Sequence, residues 1–254
     1  MITRTARLAV VGELHERAAR HRTAAGRALS DLSDAACFLA ELGLLLQSPD
    51  PWLPSLFGAA QGEPAKPGAA GFGQWPAHAW SWAGELAERD DVLITKMLCG
   101  KRTLVHARLW PALDAAVRGR TLEEPDARAI TGALEGHPRA RSDELRRLAG
   151  LDAPGSRQRF QKTLARLEAL GIVLARPTLV EKHTHVSLVE LWTQRFPEPL
   201  GETPGVGAFV FAALEAAGSV PVQRVLRWFA WPREEIAHAI GELVASGRVV
   251  QVEE

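Results

Sequence analysis

Cysteine is scarce in this sequence. The chain of 254 residues has two cysteines, Cys37 and Cys99, which lie far apart among apolar or mixed neighbours. Two distant cysteines form neither a disulfide framework nor a cluster of metal-binding thiolates. This pattern fits a reducing compartment, so the sequence predicts a cytoplasmic protein, associated with the nucleoid if it binds DNA.

Long apolar runs are also missing. A membrane-spanning helix needs about 20 apolar residues, and the longest run here, around Leu42 to Leu46, is far shorter. The amino-terminal segment mixes several arginines with apolar residues and lacks the continuous apolar core and the cleavage site of a secretory signal. We therefore expect no membrane partner.

The chain has no excess charge of either sign, with 30 basic and 30 acidic residues. Zero net charge argues against a histone-like or tail-type binder of nucleic acid. The charges are unevenly spread, however, because residues 128–176 contain ten Lys and Arg against five Asp and Glu. A local positive potential of this kind can hold a polyanion.

Recognisable catalytic fingerprints are absent. The Gly- and Pro-rich segment 58–74 reads as a loop and lacks the Gly-Lys-Ser/Thr ending of a phosphate-binding loop. No Ser-His-Asp arrangement, paired-carboxylate motif or nucleotide fingerprint stands out. His183 and His185 could share one side of a strand, but no third ligand is visible nearby. We predict no metal site and no small-molecule cofactor.

Residues 1–120 are predicted to form a mainly helical region with short strands. Apolar residues recur at helical spacing from Ala6 to about Ala25, and a second helix follows, for which Ser30-Asp31 and Ser33-Asp34 supply two possible N-caps. A third helix is predicted over Val92–Leu98, and a short extended piece over Thr103–Val105.

The pattern changes after Glu124. Three helices are predicted, over Asp126–Glu135, after a cap at Ser142 and after a cap at Ser156, and two short strands follow around a polar tip. This is the element order of a winged helix, placed at 121–197. A similar order recurs at 204–254. The predicted fold is therefore mainly α with small β-hairpin wings, an α+β class with tandem winged-helix units behind a helical amino-terminal region.

The third helix of the first unit is the predicted DNA reader, because that element enters the major groove in helix-turn-helix proteins. Its apolar stripe leaves donor-rich side chains exposed, and the hairpin tip adds further candidates. The predicted DNA-binding residues are Arg157, Gln158, Arg159, Gln161, Lys162, Arg166, Lys182, His183 and His185. The alternative is a solvated helix face on a fold that serves protein contacts. In the second unit Glu234 and Glu235 make the equivalent helix a poor phosphate reader.

Tryptophans cluster in one segment. Trp75, Trp80 and Trp82 lie within eight residues, and Trp110 follows later. They are predicted to fill the core, and the alternative is a pocket that stacks an extruded base.

Three pieces of the chain, together with the two repeated carboxyl-terminal units, resemble a known family. The pieces are the run Leu42–Leu56, WSWAGEL at Trp80–Leu86 and KMLCGKRTLV at Lys96–Val105. With the repeated units they are similar to AlkZ-related winged-helix proteins, bacterial relatives of alkylpurine and crosslink DNA glycosylases of the AlkZ/YcaQ type. The resemblance implies repeated winged helices, DNA binding and, for the glycosylases, hydrolysis of the N-glycosidic bond of a damaged purine.

The catalytic signature implied by the resemblance is Gln, an apolar residue, then Gln or Asp. Here the corresponding stretch is Gln47-Ser48-Pro49-Asp50, in which the middle residue is polar and an extra position intervenes. Gln47 and Asp50 are the catalytic candidates, but the resemblance supports DNA binding more than catalysis.

Three functional hypotheses follow. The first is a protein of DNA repair or genome maintenance that binds double-stranded DNA without an intact catalytic signature. The second is a DNA glycosylase that excises alkylated or crosslinked bases. The third is a transcriptional regulator whose amino-terminal half senses a ligand or forms a homodimer.

Overall fold

A computed structural model of the chain describes residues 6–11, 17–63, 76–180, 184–201 and 205–252. It combines many helices with small antiparallel sheets, which confirms the predicted α+β class. None of the helices in these ranges is long and apolar enough to cross a membrane.

The helices vary from single turns to about four turns. They are α1 Arg17–Arg20, α2 Leu32–Leu42, α3 Leu56–Gln61, α4 Ala77–Ala87, α5 Trp110–Val117, α6 Pro125–Gly136, α7 Ser142–Leu148, α8 Ser156–Leu170, α9 Trp192–Arg195, α10 Gly205–Ala217, α11 Val222–Val225 and α12 Arg233–Ala245.

The strands form three antiparallel sheets of three strands each within the described residues, with orders β8-β1-β9, β2-β4-β3 and β5-β7-β6. Their bounds are β1 Arg7–Val10, β2 Leu44–Leu46, β3 Val92–Thr95, β4 Thr103–His106, β5 Ala140–Arg141, β6 Val173–Val180, β7 Thr184–Leu191, β8 Val220–Pro221 and β9 Val249–Val252.

The predicted helix over Ala6–Ala25 is wrong. Its first part is β1, the central strand of its sheet, where Leu8 is buried and pairs with Val220 and Gln251. Only Arg17–Arg20 is helical among the described residues of this segment. The strand forms because it pairs with β8 and β9. These partners lie more than 200 residues away along the chain, so local spacing cannot reveal them.

A second prediction is wrong in the sheet β2-β4-β3, which is called the middle sheet below. Val92–Thr95 is strand β3, whereas a helix was predicted over Val92–Leu98. The four residues pair with β4, and burial of Val92, Leu93 and Thr95 favours this short apolar run as a strand. The extended piece predicted at Thr103–Val105 is confirmed as part of β4.

The predicted 58–74 loop starts too early. Ser55 accepts a hydrogen bond from the Gly58 amide and caps α3, which continues to Gln61. Gly62 ends α3 in the left-handed conformation, and residues 64–75 lie outside the described ranges. Of the two N-caps predicted for α2, Ser30-Asp31 is confirmed, because the Asp31 carboxylate accepts from the Asp34 amide, whereas Ser33-Asp34 lies inside the helix.

The predicted first unit, residues 121–197, is called the central unit below, and it contains the predicted three helices and the antiparallel pair β6 and β7. Neither predicted cap is correct. Ser142 and Ser156 are the first residues of α7 and α8 rather than their N-caps. The Ser156 hydroxyl lies within hydrogen-bond distance of the Leu151 and Ala153 carbonyls, which share its one proton, and the Ser142 hydroxyl accepts from the Ser187 amide. These bonds hold the turn before α8 and the contact of α7 with β7.

The carboxyl-terminal elements also follow the predicted order, except that the middle helix is shorter. Helix α11 ends at Val225, whereas the prediction continued to Phe229. Buried side chains of α10 and α12 join those of residues 6–117 in one continuous core. Residues 127–189 supply a second core of their own. The division of the chain at 121–197 and 204–254 stays a prediction.

The side chain of Asp114 joins α5 to Trp192 of α9 and to Leu200. It lies on α5, and its carboxylate accepts hydrogen bonds from Trp192 Nε1 at 2.5 Å, from the Leu200 amide at 3.0 Å and from Arg118. Burial disfavours the charged carboxylate, but these hydrogen bonds outweigh burial and lower the pKa of Asp114. Arg118 also donates to the Phe196 carbonyl, so the chain leaving the central unit is fixed against α5.

Candidate nucleic-acid interface and adjoining cavity

The outer face of α8 is polar and basic. Phe160, Leu164 and Leu167 turn into the core of the central unit, which leaves the other faces to solvent. All six predicted DNA-binding residues of this helix are exposed: Arg157, Gln158, Arg159, Gln161, Lys162 and Arg166.

Two of these basic residues have carboxylate partners at the start of α6. Arg159 Nε lies 2.6 Å from Asp126 Oδ2, and Arg166 forms an ion pair with Glu124. No ion pair of Arg157 or Lys162 is found within the described ranges. The positive charge that remains unneutralised is therefore concentrated at Arg157 and Lys162.

Of the three predicted DNA-binding residues in the hairpin, His185 is the one that lies within the described residues. Lys182 and His183 lie outside the described residues, and His185 lies on β7 opposite Leu179 of β6. The described part of the chain contains no group of three His, Cys, Asp or Glu side chains that could hold a metal ion.

Gln47 follows β2 and lines an open cavity of about 520 Å³. Its amide donates to the Arg102 carbonyl at 2.8 Å, and its own carbonyl accepts from the Phe57 amide, so the backbone is fixed from both sides. The Gln47 side-chain amide has no hydrogen-bond partner among the described residues. This side chain is available to a ligand.

The cavity lies between elements that are distant in sequence. Trp80, Ala83, Gly84 and Ala87 line it from α4. Ile94 and Leu104 belong to the middle sheet, and Pro177 belongs to β6 of the central unit. The cavity therefore touches both the amino-terminal region and the unit that carries α8.

Asp50 lies elsewhere. Its carboxylate accepts from the Trp52 and Leu53 amides and forms an ion pair with Lys101, with 2.9 Å between Nζ and Oδ2. It lines a second cavity, of about 400 Å³, together with Arg17 and His21. Asp50 thus stabilises the turn after Gln47, and the two catalytic candidates do not line the same cavity.

The tryptophans have separate surroundings. Trp80 is 37% exposed, lines the Gln47 cavity and has its ring centroid 4.8 Å from that of Phe57. Trp82 contacts His78 instead, and Trp110 donates to the Val105 carbonyl. Trp75 lies outside the described residues. The segment therefore offers one cavity-lining tryptophan that is described, rather than a cluster.

Glu168 and Arg102 are missed by sequence reasoning. The side chain of Glu168 is only 8% exposed and lies on the inner side of α8, where its Oε2 is 2.6 Å from Lys96 Nζ. Burial raises the pKa of Glu168, although Lys96 and Arg102 oppose the rise. The available signal was an acid next to the apolar stripe, beside Leu167. Arg102 is exposed at the cavity. The available sequence signal for it was its position in the piece KMLCGKRTLV.

Comparisons with known proteins give one family match and one similar structure. A family model described as AlkZ related matches residues 29–180, which is more than half of the chain. The DNA glycosylase AlkZ of Streptomyces sahachiroi has a TM-score of 0.48 and 16% sequence identity, over 93% of this chain and 68% of that chain. No curated protein matches.

Proposed function

The chain belongs to the AlkZ-related family, and from this premise we propose that it binds double-stranded DNA in a process related to DNA repair. The observation that carries this proposal is the exposed face of α8, on which Arg157 and Lys162 have no carboxylate partner in the described ranges. Unpaired guanidinium and ammonium groups on one helix face can replace the counterions of DNA phosphates.

In this proposal the central unit is a winged helix. Helices α6, α7 and α8 precede the antiparallel strands β6 and β7, and β5 adds the third strand of the small sheet. Helix α8 would lie in the major groove with its first turns toward the bases, and the β6–β7 hairpin, with Lys182, His183 and His185, would reach the phosphate backbone.

The carboxyl-terminal elements form a second winged helix in the same proposal. Here α10, α11 and α12 are followed by β9, and β1 from the start of the chain stands between β8 and β9. The first turn of α12 carries Glu234 and Glu235, and Glu235 is paired with Arg120, so the charge of Glu234 is the one that repels phosphates. This unit would hold the molecule together rather than read DNA.

The positions of Gln47 and Asp50 do not favour base excision. Hydrolysis of an N-glycosidic bond needs a group that positions water beside the extruded nucleotide. Asp50 is held by Lys101 and two backbone amides, outside the cavity that Gln47 lines. The described contacts therefore favour binding over catalysis.

The proposal is tested with fluorescently labelled duplex DNA. Arg157→Ala and Lys162→Ala should each weaken binding at low salt and reduce the slope of log affinity against log salt by about one. Arg233→Ala, an exposed arginine at the start of the acidic helix α12, is the matched control. Unchanged affinity and slope in both α8 variants would overturn the proposal. A preference for alkylated over undamaged duplex would support the link to repair.

A further inference from the structure

We propose that the cavity beside Gln47 binds a small aromatic molecule that carries an acidic group. The cavity measures about 520 Å³ and is open to solvent, a size suited to a drug-sized ligand. Its lining combines one aromatic ring, several small or apolar side chains and a few polar groups, which is the usual composition of such sites.

The α4 wall fits a flat ring. Trp80, Ala83, Gly84 and Ala87 recur at helical spacing, so they lie on one side of α4. The three small residues leave space beside the partly exposed Trp80 ring, and a Cβ added at Gly84 would meet no atom within 4 Å. An aromatic ligand can therefore lie against this wall and contact the indole.

The polar groups select the rest of the ligand. Gln47 contributes an amide with both a donor and an acceptor, and no described residue uses either. Arg102 is exposed at the cavity and forms no ion pair with a described residue. Glu88, a carboxylate that also lines the cavity, is paired with Arg176, with 3.4 Å between Nη1 and Oε2. Arg102 also acts on the buried Glu168, but that carboxylate is already paired with Lys96, so the charge that remains at the cavity is positive and favours an anionic ligand.

The site also touches the proposed DNA-binding unit. Pro177 of β6 lines the cavity, and the neighbouring Arg176 joins β6 to Glu88. Coupling to DNA binding requires that the ligand bind the DNA-free and DNA-bound arrangements with different affinity, and a ligand held by both α4 and β6 meets this condition when DNA shifts the hairpin relative to α4. This second step rests on the proposed function, whereas the binding site itself does not.

The site is tested with two fluorescent probes that share a ring system. Anilinonaphthalenesulfonate is anionic and phenylnaphthylamine is neutral. Both should bind the full chain, and Gly84→Leu should weaken both by roughly tenfold or more because the new side chain occupies the cavity. Gly132→Leu is the matched control, since Gly132 is in α6 and also has no atom within 4 Å of an added Cβ. Both variants replace a helical glycine, so the melting temperature should be maintained or raised.

Charge selection is tested with Arg102→Gln. This variant should weaken binding of the anionic probe roughly three- to fivefold and leave the neutral probe unchanged. If the folded Gly84→Leu protein binds both probes as the control does, the site proposal is wrong. Equal effects of Arg102→Gln on the two probes would overturn the preference for an acidic ligand.

Coupling is tested last, with duplex DNA in the presence of saturating neutral probe. The affinity for DNA should change in the wild type and in Gly132→Leu, but not in Gly84→Leu. An unchanged wild-type affinity would overturn the coupling. If the chain bound no DNA at all, the proposed function would fail while the probe results still decided the site.

Discussion

Glu168 of α8 and Lys96, which follows β3, form an ion pair with 2.6 Å between the carboxylate Oε2 and Nζ. The pair joins the inner side of the basic helix to the sheet whose strands line the Gln47 cavity. Glu168 is the buried partner, and Lys96 keeps about a third of its side chain in solvent. The position of α8 relative to the cavity therefore depends on a carboxylate that burial destabilises.

This burial predicts a dependence of stability on pH. Because the pKa of Glu168 is raised in the folded protein, the folded state binds more protons than the unfolded state at pH values between the two pKa values. The stabilising contribution is thus complete below the ordinary value of 4.5 and is lost as pH rises through the folded pKa. Glu168→Gln should remove this loss of stability, which is measured as the melting temperature at a series of pH values from below 4.5 upward. Glu144→Gln, an exposed acid on α7, is the control and should change the profile little. A wild-type slope retained in Glu168→Gln would contradict the assignment.

His21 predicts the opposite slope at acid pH. The ring is 6% exposed, its Nε2 lies 3.1 Å from the Ala216 carbonyl, and burial lowers the pKa from 6.5 to about 4. The folded state then binds fewer protons, so stability is complete above 6.5 and falls by about 3 kcal/mol as pH drops through the folded pKa. His21→Gln can still donate to the carbonyl but does not titrate, and its unfolding free energy should lack this component. His137→Gln replaces an exposed histidine and serves as the control.

Asp114 predicts a large loss of stability on substitution. In Asp114→Asn, a neutral amide oxygen replaces the carboxylate that accepts from Trp192, Leu200 and Arg118, and at least one buried donor loses its partner. We expect the free energy of unfolding to fall by about 3 kcal/mol. Denaturant titration measures the change, and Asp152→Asn, an exposed acid before α8, is the control. A loss no larger than the control would show that the junction does not depend on this carboxylate.

Gly171 ends α8 at a close contact. Its φ is +79°, and an added Cβ would lie 2.4 Å from Val117 Cγ1 and 3.0 Å from Met97 Cε. Gly171→Ala therefore combines backbone strain with a steric clash, and we expect a loss of roughly 2–4 kcal/mol. Gly150→Ala separates the two effects, because Gly150 has φ +67° but no atom within 4 Å of an added Cβ. It should lose only about 1 kcal/mol. Equal losses in the two variants would exclude the clash as a cause.

Local sequence signals predicted the central unit well. Helix α8 has an apolar stripe that ends at Gly171, and β6 and β7 are neighbours along the chain, so each element is specified by nearby residues. The same signals failed at β1. Its neighbours in the sheet are β8 and β9 near the other end of the chain, and the same apolar residues satisfied a helical spacing.

The candidate site shows the same limit. Exposure of Arg157 and Lys162 follows from helical periodicity and was predicted. The partners of Arg159 and Arg166 are at the start of α6, and the partner of Asp50 is Lys101, about 50 residues later. Such contacts arise from tertiary packing, so residue spacing could identify the candidates but not bring them together or keep them apart.

The carboxylates of α6 give a final prediction, which rests on DNA binding by α8. Asp126 and Glu124 neutralise Arg159 and Arg166 at the surface, where Asp126 is partly buried and the other three side chains are exposed, and such surface pairs are worth about 1 kcal/mol each. A substitution that removes one carboxylate frees a cation for phosphate at little cost in stability. Asp126→Asn should therefore strengthen binding to duplex DNA and increase the slope of log affinity against log salt by about one. Asp152→Asn removes the same charge from the same unit without freeing an arginine among the described residues, so it should leave the slope unchanged. Identical slopes in the two variants would mean that Arg159 does not reach phosphate even when it is released.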